Sequence, residues 1–396
     1  MYLLDILVIV LLLPVVYCYL LYPYLIQLAA KRFLRSHIID DSYLPTISVI
    51  LSAHNEELVI RSSIASILSQ DYPFEKVEVI IGSDGSTDRT NAILAELSSK
   101  YNNIRTFIFD EQRGKMLTLN DIVRHASGEI LYFLDADITL SPNSFRLHVR
   151  HYQDQTVGIV GGSYQIHSHH EAGHFASESE YASLEQRIRK SESLMSSTIN
   201  VYGGNYSMRR YLWRDLPSPL VHDDVYVVLS AISQGKRVLT ELDAVAVDHY
   251  ERSMKEEFKR KERSASRGYL TLSYFPELTS FSGGTIALYL WSHKILRWLS
   301  PLFVLVASIL FIINTLIVGD AVRYALVSLG LFGLIAVFIG YMLQKRGDNP
   351  SLLGKLGWFI YMNAAYIKGT FTYIFDRDQH TWVKATRVTS LEQPHH

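Results

Sequence analysis

An apolar run, Phe133-Leu134-Asp135-Ala136-Asp137-Ile138-Thr139-Leu140, carries two carboxylates at i and i+2. In an extended chain alternate side chains point the same way, so a strand ending here offers two oxygen ligands from one edge of a sheet. Such hard donors suit a divalent cation. The same residues would also serve a plain strand end, with Asp137 capping the Ser141-Pro142 segment. The neighbouring segments decide between the two readings.

Thr46-Ile47-Ser48-Val49-Ile50-Leu51-Ser52-Ala53 is a β-branched run that ends in His54-Asn55-Glu56-Glu57, with helically spaced apolar residues over 58–68. Val77-Glu78-Val79-Ile80-Ile81 repeats the pattern and enters the polar turn Gly82-Ser83-Asp84-Gly85-Ser86-Thr87-Asp88, where Ser86 or Thr87 can cap a helix through Leu97. Residues 104–109 read as a third strand, 116–125 as a third helix behind Arg113-Gly114-Lys115, and 129–134 as the strand that ends at the carboxylate pair. This alternation predicts a mostly parallel sheet with helices on both faces. Ligands of such sheets bind at the carboxyl ends of the strands, where each of these polar turns falls.

Composition bounds the rest. A net charge of −1 over 396 residues argues against a nucleic-acid binder. Residues 1–30 are almost uninterrupted hydrocarbon, with Asp5 near the outer end and Lys31-Arg32-Phe33-Leu34-Arg35 after them. That is too long for a signal-peptide core and lacks a small-residue cleavage pattern, so it reads as a membrane helix whose basic flank lies in the cytoplasm. The single cysteine, Cys18, sits within it, which excludes a disulfide or cysteine metal centre. His167, His169, His170 and His174 lack the cysteine or H-E-x-x-H frame of a zinc site and read as a solvated loop. No function is read from the histidines of 391–396.

Together, Ile50-Leu51-Ser52-Ala53-His54-Asn55-Glu56-Glu57, Ser83-Asp84-Gly85-Ser86-Thr87-Asp88, Arg113-Gly114-Lys115, Asp135-Ala136-Asp137 and His222-Asp223-Asp224 resemble the membrane-associated family 2 glycosyltransferases. That group includes hyaluronan, cellulose and poly-N-acetylglucosamine synthases and lipid glycosyltransferases. The resemblance implies a Rossmann-like α/β domain of the GT-A fold, cytoplasmic, with transmembrane helices N- and C-terminal to it. It also implies roles for individual residues. Asn55, Glu56 and Asp84 would hold the uridine of a UDP-sugar, and Lys115 its diphosphate. Asp135 would contact the ribose and Asp137 an Mg²⁺ or Mn²⁺ ion. Gly204, within Val201-Tyr202-Gly203-Gly204-Asn205, would let the backbone approach the acceptor sugar. Asp224, with Asp223 beside it, would be the general base of an inverting transfer, and Arg263 would brace the diphosphate.

The sequence departs from the family pattern at Ser83, where a second acidic residue is common, and at Ser264, where processive members carry a tryptophan after the arginine. The latter departure argues for a lipid-linked or short glycan acceptor over a long polymer. The stretch over 181–194 reads as an amphipathic outer helix. Lys294-Ile295-Leu296-Arg297-Trp298 also spells K-x-x-R-W, but beside an apolar span it reads as an interfacial anchor.

The expected organisation is a membrane helix and basic flank over 1–35, a catalytic domain over 40–270, interfacial helices over 271–298, a transmembrane region over 299–376 and a tail over 377–396. Within the transmembrane region, 299–318 and 325–343 are long enough to span, and Asn363 and Lys368 interrupt 357–375. The protein is therefore expected in the plasma membrane as a multi-pass enzyme, in contact with membrane lipids. Two rival classes are a nucleotide-sugar-binding regulator without turnover and a transporter. The Asp224 base argues against the first, and the absence of paired membrane repeats against the second.

Overall fold

The computed structural model describes residues 2–166, 173–217, 221–248, 254–345 and 352–375. The cluster His167, His169 and His170, and the 377–396 tail, lie outside the described residues. Helices α1 (Tyr2–Val16) and α2 (Tyr22–Arg32) join through a π-type turn at Tyr17–Leu21 into one apolar rod, and Lys31 and Arg32 close its last turn.

Four strands and three helices then alternate as read: β1 (Ile47–Ala53), α3 (Ile60–Leu68), β2 (Val77–Asp84), α4 (Thr90–Lys100), β3 (Ile104–Phe109), α5 (Lys115–Val123) and β4 (Ile130–Leu134). β2 extends through Gly82-Ser83-Asp84, so Asp84 is its last residue and not part of the turn. The chain continues through β5 (Ile138–Leu140), α6 (Ser144–Val149), β6 (Val157–Ile166), α7 (Gly173–Met195), β7 (Asn205–Arg209), α8 (Asp223–Ser233) and β8 (Arg237–Asp248).

The sheet order is β3-β2-β1-β4-β7-β6-β8-β5. The β1–β2, β2–β3, β1–β4 and β6–β8 pairs are parallel, whereas β7 runs antiparallel to both β4 and β6, and β5 antiparallel to β8. The sheet is therefore mixed. β7 departs from the parallel pattern because the Gly203-Gly204 turn sends the chain back down the middle of the sheet.

Alternate side chains of the central strands feed separate cores. Val49 and Leu51 pack with Ile60 and Ile64 on one face, and Ile50 and Phe133 with Leu119 and Ile122 on the other. Each such fully buried aliphatic side chain contributes about 1.5–3 kcal/mol relative to exposure.

Helix α7 corrects the outer-face reading of 181–194. Glu185, Ile188, Arg189 and Glu192 are all buried. Its charges face inward because their partners come from the membrane-side helices. His293 bridges Glu185 and Glu192 at 2.9 and 2.8 Å, Arg297 pairs with Glu185, and Tyr22 donates to Glu192 at 2.7 Å.

Beyond β8 come α9 (Met254–Ser273), the short α10 (Pro276–Thr279), α11 (Gly284–Tyr289), a π-type turn at Leu290–Ile295, α12 (Leu296–Val318), α13 (Ala321–Lys345) and α14 (Leu352–Phe375). Among the described residues, three segments are long and apolar enough to cross a membrane: Leu3–Arg32, Phe281–Val318 and Ala321–Met342. The second of these begins before residue 299 and takes in part of the segment expected at the interface. At the far end of these helices Asp5 pairs with Arg323 at 2.8 Å and accepts from Asn314 at 2.7 Å. Helix α14 lies against α9, where Lys368 pairs with Glu262 at 3.0 Å.

Candidate active site

The carboxyl ends of β1, β2 and β4 and the start of α8 face one cleft. Lys115, the first residue of α5, donates to Asp135 at 2.8 Å and pairs with Asp223 at 2.9 Å. Three segments far apart in sequence thus meet on one ammonium. Burial opposes its charge, but the two carboxylates outweigh that and hold the Lys115 pKa well above its usual value. Burial likewise works against the Asp223 charge, yet Lys115 and then His222 keep its pKa lowered to about 2.

The Gly203-Gly204 turn presses its backbone onto this cluster. A β-carbon at Gly204 would lie 3.1 Å from Asp135 Oδ2, and one at Gly203 would lie 3.3 Å from Asp224 Oδ2. Asp224 sits in the first turn of α8, where the helix dipole favours a carboxylate, and pairs with Nδ1 of His222. Asp135, Asp223, Asp224, Lys115 and Gly204 therefore come together.

The residues expected on the nucleotide side form a linked shelf. Asn55, in the left-handed region at φ 55°, accepts from the Thr87 backbone N–H at 2.7 Å. The Glu56 backbone N–H donates to Thr90 at 2.7 Å. Asp84 is only 1 % exposed and accepts from the backbone N–H groups of Arg113 and Gly114 at 2.9 and 2.8 Å and from Thr118 at 3.0 Å. Its carboxylate is thereby committed to shaping the turn that delivers Lys115. Oδ1 accepts two of these bonds and Oδ2 one, which leaves Oδ2 a further acceptor site. Ser83 is tied to Asn91 and Ser86 at 2.6 and 2.8 Å.

Asp137 is half-buried at the start of β5, and the β5–β8 register sets buried Asp248 opposite Ile138. Asp248 shares the Ile138 face of the sheet, and the hard oxygen donors of Asp137 fit a divalent cation. Oxygen and nitrogen ligands of His222, Asp223 and Asp224 also lie within 4.8 Å of one another. Lys115 already neutralises that group, so Asp137 is the better candidate for an ion.

A cavity of about 130 Å³ opens beside Asp224. On one side Tyr164 and Tyr202 stack with ring centroids 4.2 Å apart. The opposite wall includes Lys294, Arg297 and Trp298. Reading this K-x-x-R-W stretch as an anchor is therefore corrected: Arg297 and Trp298 are buried against the catalytic domain, and a β-carbon on Gly268 would overlap the indole. Trp298 brings an aromatic side chain to the cavity wall that Ser264 also lines. Arg263 is half-buried on α9 and outside the cavity wall among the described residues. Four residues on, Arg267 is buried and feels the Asp223 charge. Its i+4 spacing from Arg263 was a signal the sequence reading passed over.

A carboxylate-rich cleft at the strand ends of this mixed sheet, with apolar helices at both ends of the chain, defines a GT-A-like domain. Over residues 48–216 the chain matches the Glycosyl transferase family 2 model. It is 34 % identical over 125 residues to glycosyltransferase AglE of Haloferax volcanii, covering 32 % of this chain and 41 % of that protein. It is 30 % identical over 181 residues to a poly-β-1,6-N-acetyl-D-glucosamine synthase of Staphylococcus epidermidis, covering 45 % and 43 %. In both cases the match spans under half of the relative's length. The fold is similar to that of a mannosyltransferase from Pyrobaculum calidifontis solved with GDP-Man and Mn²⁺, with a TM-score of 0.70, 21 % identity and coverage of 95 % of this chain and 100 % of the other.

Proposed function

We propose that the protein transfers a sugar from a UDP-sugar, with inversion, to a membrane-associated acceptor that is lipid-linked or a short glycan. The observation that carries this reading is the meeting of Asp135, Lys115 and Asp223 beside Asp224 and the Gly203-Gly204 backbone.

Asn55 and Glu56 hold the nucleoside, with Asp84 shaping the loop around it, and Lys115 carries the positive charge for the diphosphate. Asp137 would hold Mg²⁺ or Mn²⁺. When bound, the ion neutralises charge on the leaving diphosphate. Asp224 takes the proton of the acceptor hydroxyl, whose oxygen bonds to the anomeric carbon as the bond from that carbon to the diphosphate breaks. The electron pair leaves with the nucleoside diphosphate. Arg263 or its neighbour Arg267 supplies further positive charge on that side. The basic flank at Lys31 and Arg32 sets the catalytic domain on the cytoplasmic face of the plasma membrane.

A second reading, a processive polysaccharide synthase, is favoured by Trp298 in the cavity wall, since a tryptophan face can stack on successive sugars.

The test incubates lipid-embedded protein with a panel of UDP- and GDP-sugars and follows nucleotide release and product mass. One added sugar on a lipid supports the first reading, and a ladder of masses the second. Asp224→Asn should keep donor binding and lower transfer by about 10²–10⁴-fold, the usual worth of a general base. Asp137→Asn should remove the metal dependence of release. Wild-type turnover in either variant contradicts the site.

A further inference from the structure

The wall of the cavity beside Asp224 holds five cationic side chains, and they divide into two groups. Arg297 is matched by Glu185, Arg260 by Glu257 at 2.6 Å, and Lys261 by Glu257 at 3.6 Å. Arg189 and Lys294 have no such match: among the described residues neither makes a hydrogen bond or a close ion pair. Arg189 is 5 % exposed, and its buried Nε lacks any acceptor.

A guanidinium withdrawn from water without a partner is costly, so its retention beside the base calls for an anion in the working complex. The location narrows the source. Lys294 belongs to the apolar run Phe281–Val318, which is long enough to cross a membrane, and Trp298 of the same run lines the cavity. The outer face of that run exposes Val304, Leu305, Ile309 and Ile312, as a surface against hydrocarbon does. A ligand entering here comes from the bilayer, with its head toward Asp224.

We propose that the acceptor is a lipid whose headgroup is attached through phosphate, and that Arg189 and Lys294 seat this phosphate while the acceptor hydroxyl reaches Asp224. The planar fork of arginine suits phosphate oxygens, and lysine adds a second point charge. This rests on the glycosyltransferase reading and goes further by naming the acceptor class.

The test uses the full chain in dodecyl maltoside micelles free of phospholipid and measures equilibrium binding of radiolabelled farnesyl monophosphate, with farnesol and inorganic phosphate as competitors. UDP and GDP binding is measured on the same samples. Farnesyl monophosphate should bind at least about tenfold more tightly than any competitor. Arg189→Gln and Lys294→Gln should each weaken it about 10- to 100-fold, the worth of a charge-assisted hydrogen bond, and leave nucleotide affinity unchanged. Arg189→Lys, which keeps the charge, should retain most of the binding and serves as the folding control.

Equal binding of farnesol would overturn the proposal, as would full competition by inorganic phosphate, or wild-type affinity in both glutamine variants. Loss of nucleotide affinity in those variants would assign the two cations to the donor and overturn it equally. Nucleotide binding without farnesyl monophosphate binding removes this inference alone, whereas absence of nucleotide binding removes the glycosyltransferase reading beneath it.

Discussion

Lys115 is the residue on which the site depends, because one ammonium compensates two carboxylates that would otherwise repel each other and Asp224. Lys115→Met should weaken nucleoside diphosphate binding about 10- to 100-fold, the worth of charged hydrogen bonds, as read by nucleotide titration. Lys115→Arg should restore it only in part, since a planar fork does not replace a compact ammonium between two acids. A second residue-scale effect lies away from the cleft. His148 is fully buried against Ser207 at 2.9 Å, and burial pushes its pKa down to about 3. His37 is pushed down to about 4 by burial and by His151. In each case the unfolded chain binds the extra proton once the pH falls below about 6.5, so stability rises with pH in that window and is lost on acidification. Each histidine contributes a slope of up to about 1.4 kcal/mol per pH unit. Thermal melts between pH 6.5 and 4.5 should show this decline, and His148→Gln should flatten it. An unchanged slope in that variant would mean that the buried ring carries none of the effect.

At the scale of elements, what could be read in advance follows the range of the interactions. β1, β2 and β4 were legible because their apolar runs are continuous and each ends in a polar turn, a pattern set by neighbours in sequence. Asp135, Lys115 and Asp223 were legible as neighbours in space because those turns share one end of the sheet. Helix α7 was misread because Glu185, Glu192 and Arg189 look like a solvated face until His293 and Arg297, about a hundred residues on, are brought against it. Lys294–Trp298 was misread for the complementary reason, since its neighbours in sequence are membrane and its neighbours in space are catalytic. No periodicity reports a pairing of that range. The same network makes a sharp prediction. Among the described residues, His293→Ala leaves Glu192 with Tyr22 and Thr198 as donors and removes one of the two partners of Glu185. Breaking a buried charge pair from one side costs about 3–5 kcal/mol. The melting temperature of detergent-solubilised protein should fall by about 10 °C, and a loss below about 2 °C would contradict a structural role for the imidazole.

For the molecule as a whole, the proposed transfer requires a soluble-type sheet to work on an acceptor held by membrane helices. The connection runs through α9 and α14. At Gly369 the backbone of α14 comes so close to α9 that a β-carbon would lie 2.5 Å from the Glu262 carbonyl oxygen, with Lys368 paired to Glu262 at 3.0 Å on one side and Thr370 donating to Tyr269 at 3.3 Å on the other. Tyr269 meets Trp298 edge-on at 5.1 Å, and Trp298 lines the cavity that contains Asp224. A larger residue at 369 must lift α14 from α9, and overpacking of this kind costs about 1–3 kcal/mol. The displacement acts on the wall that faces the acceptor. The donor shelf at Asn55, Asp84 and Lys115 is built on β1, β2 and α5, which α14 does not brace. Gly369→Leu should therefore reduce acceptor-dependent transfer at least about tenfold and leave nucleotide affinity and the slow acceptor-independent release of nucleoside diphosphate unchanged, with Gly369→Ala in between. If donor affinity fell in step with transfer, α14 would be a brace for the entire domain and not the link between the bilayer and the base.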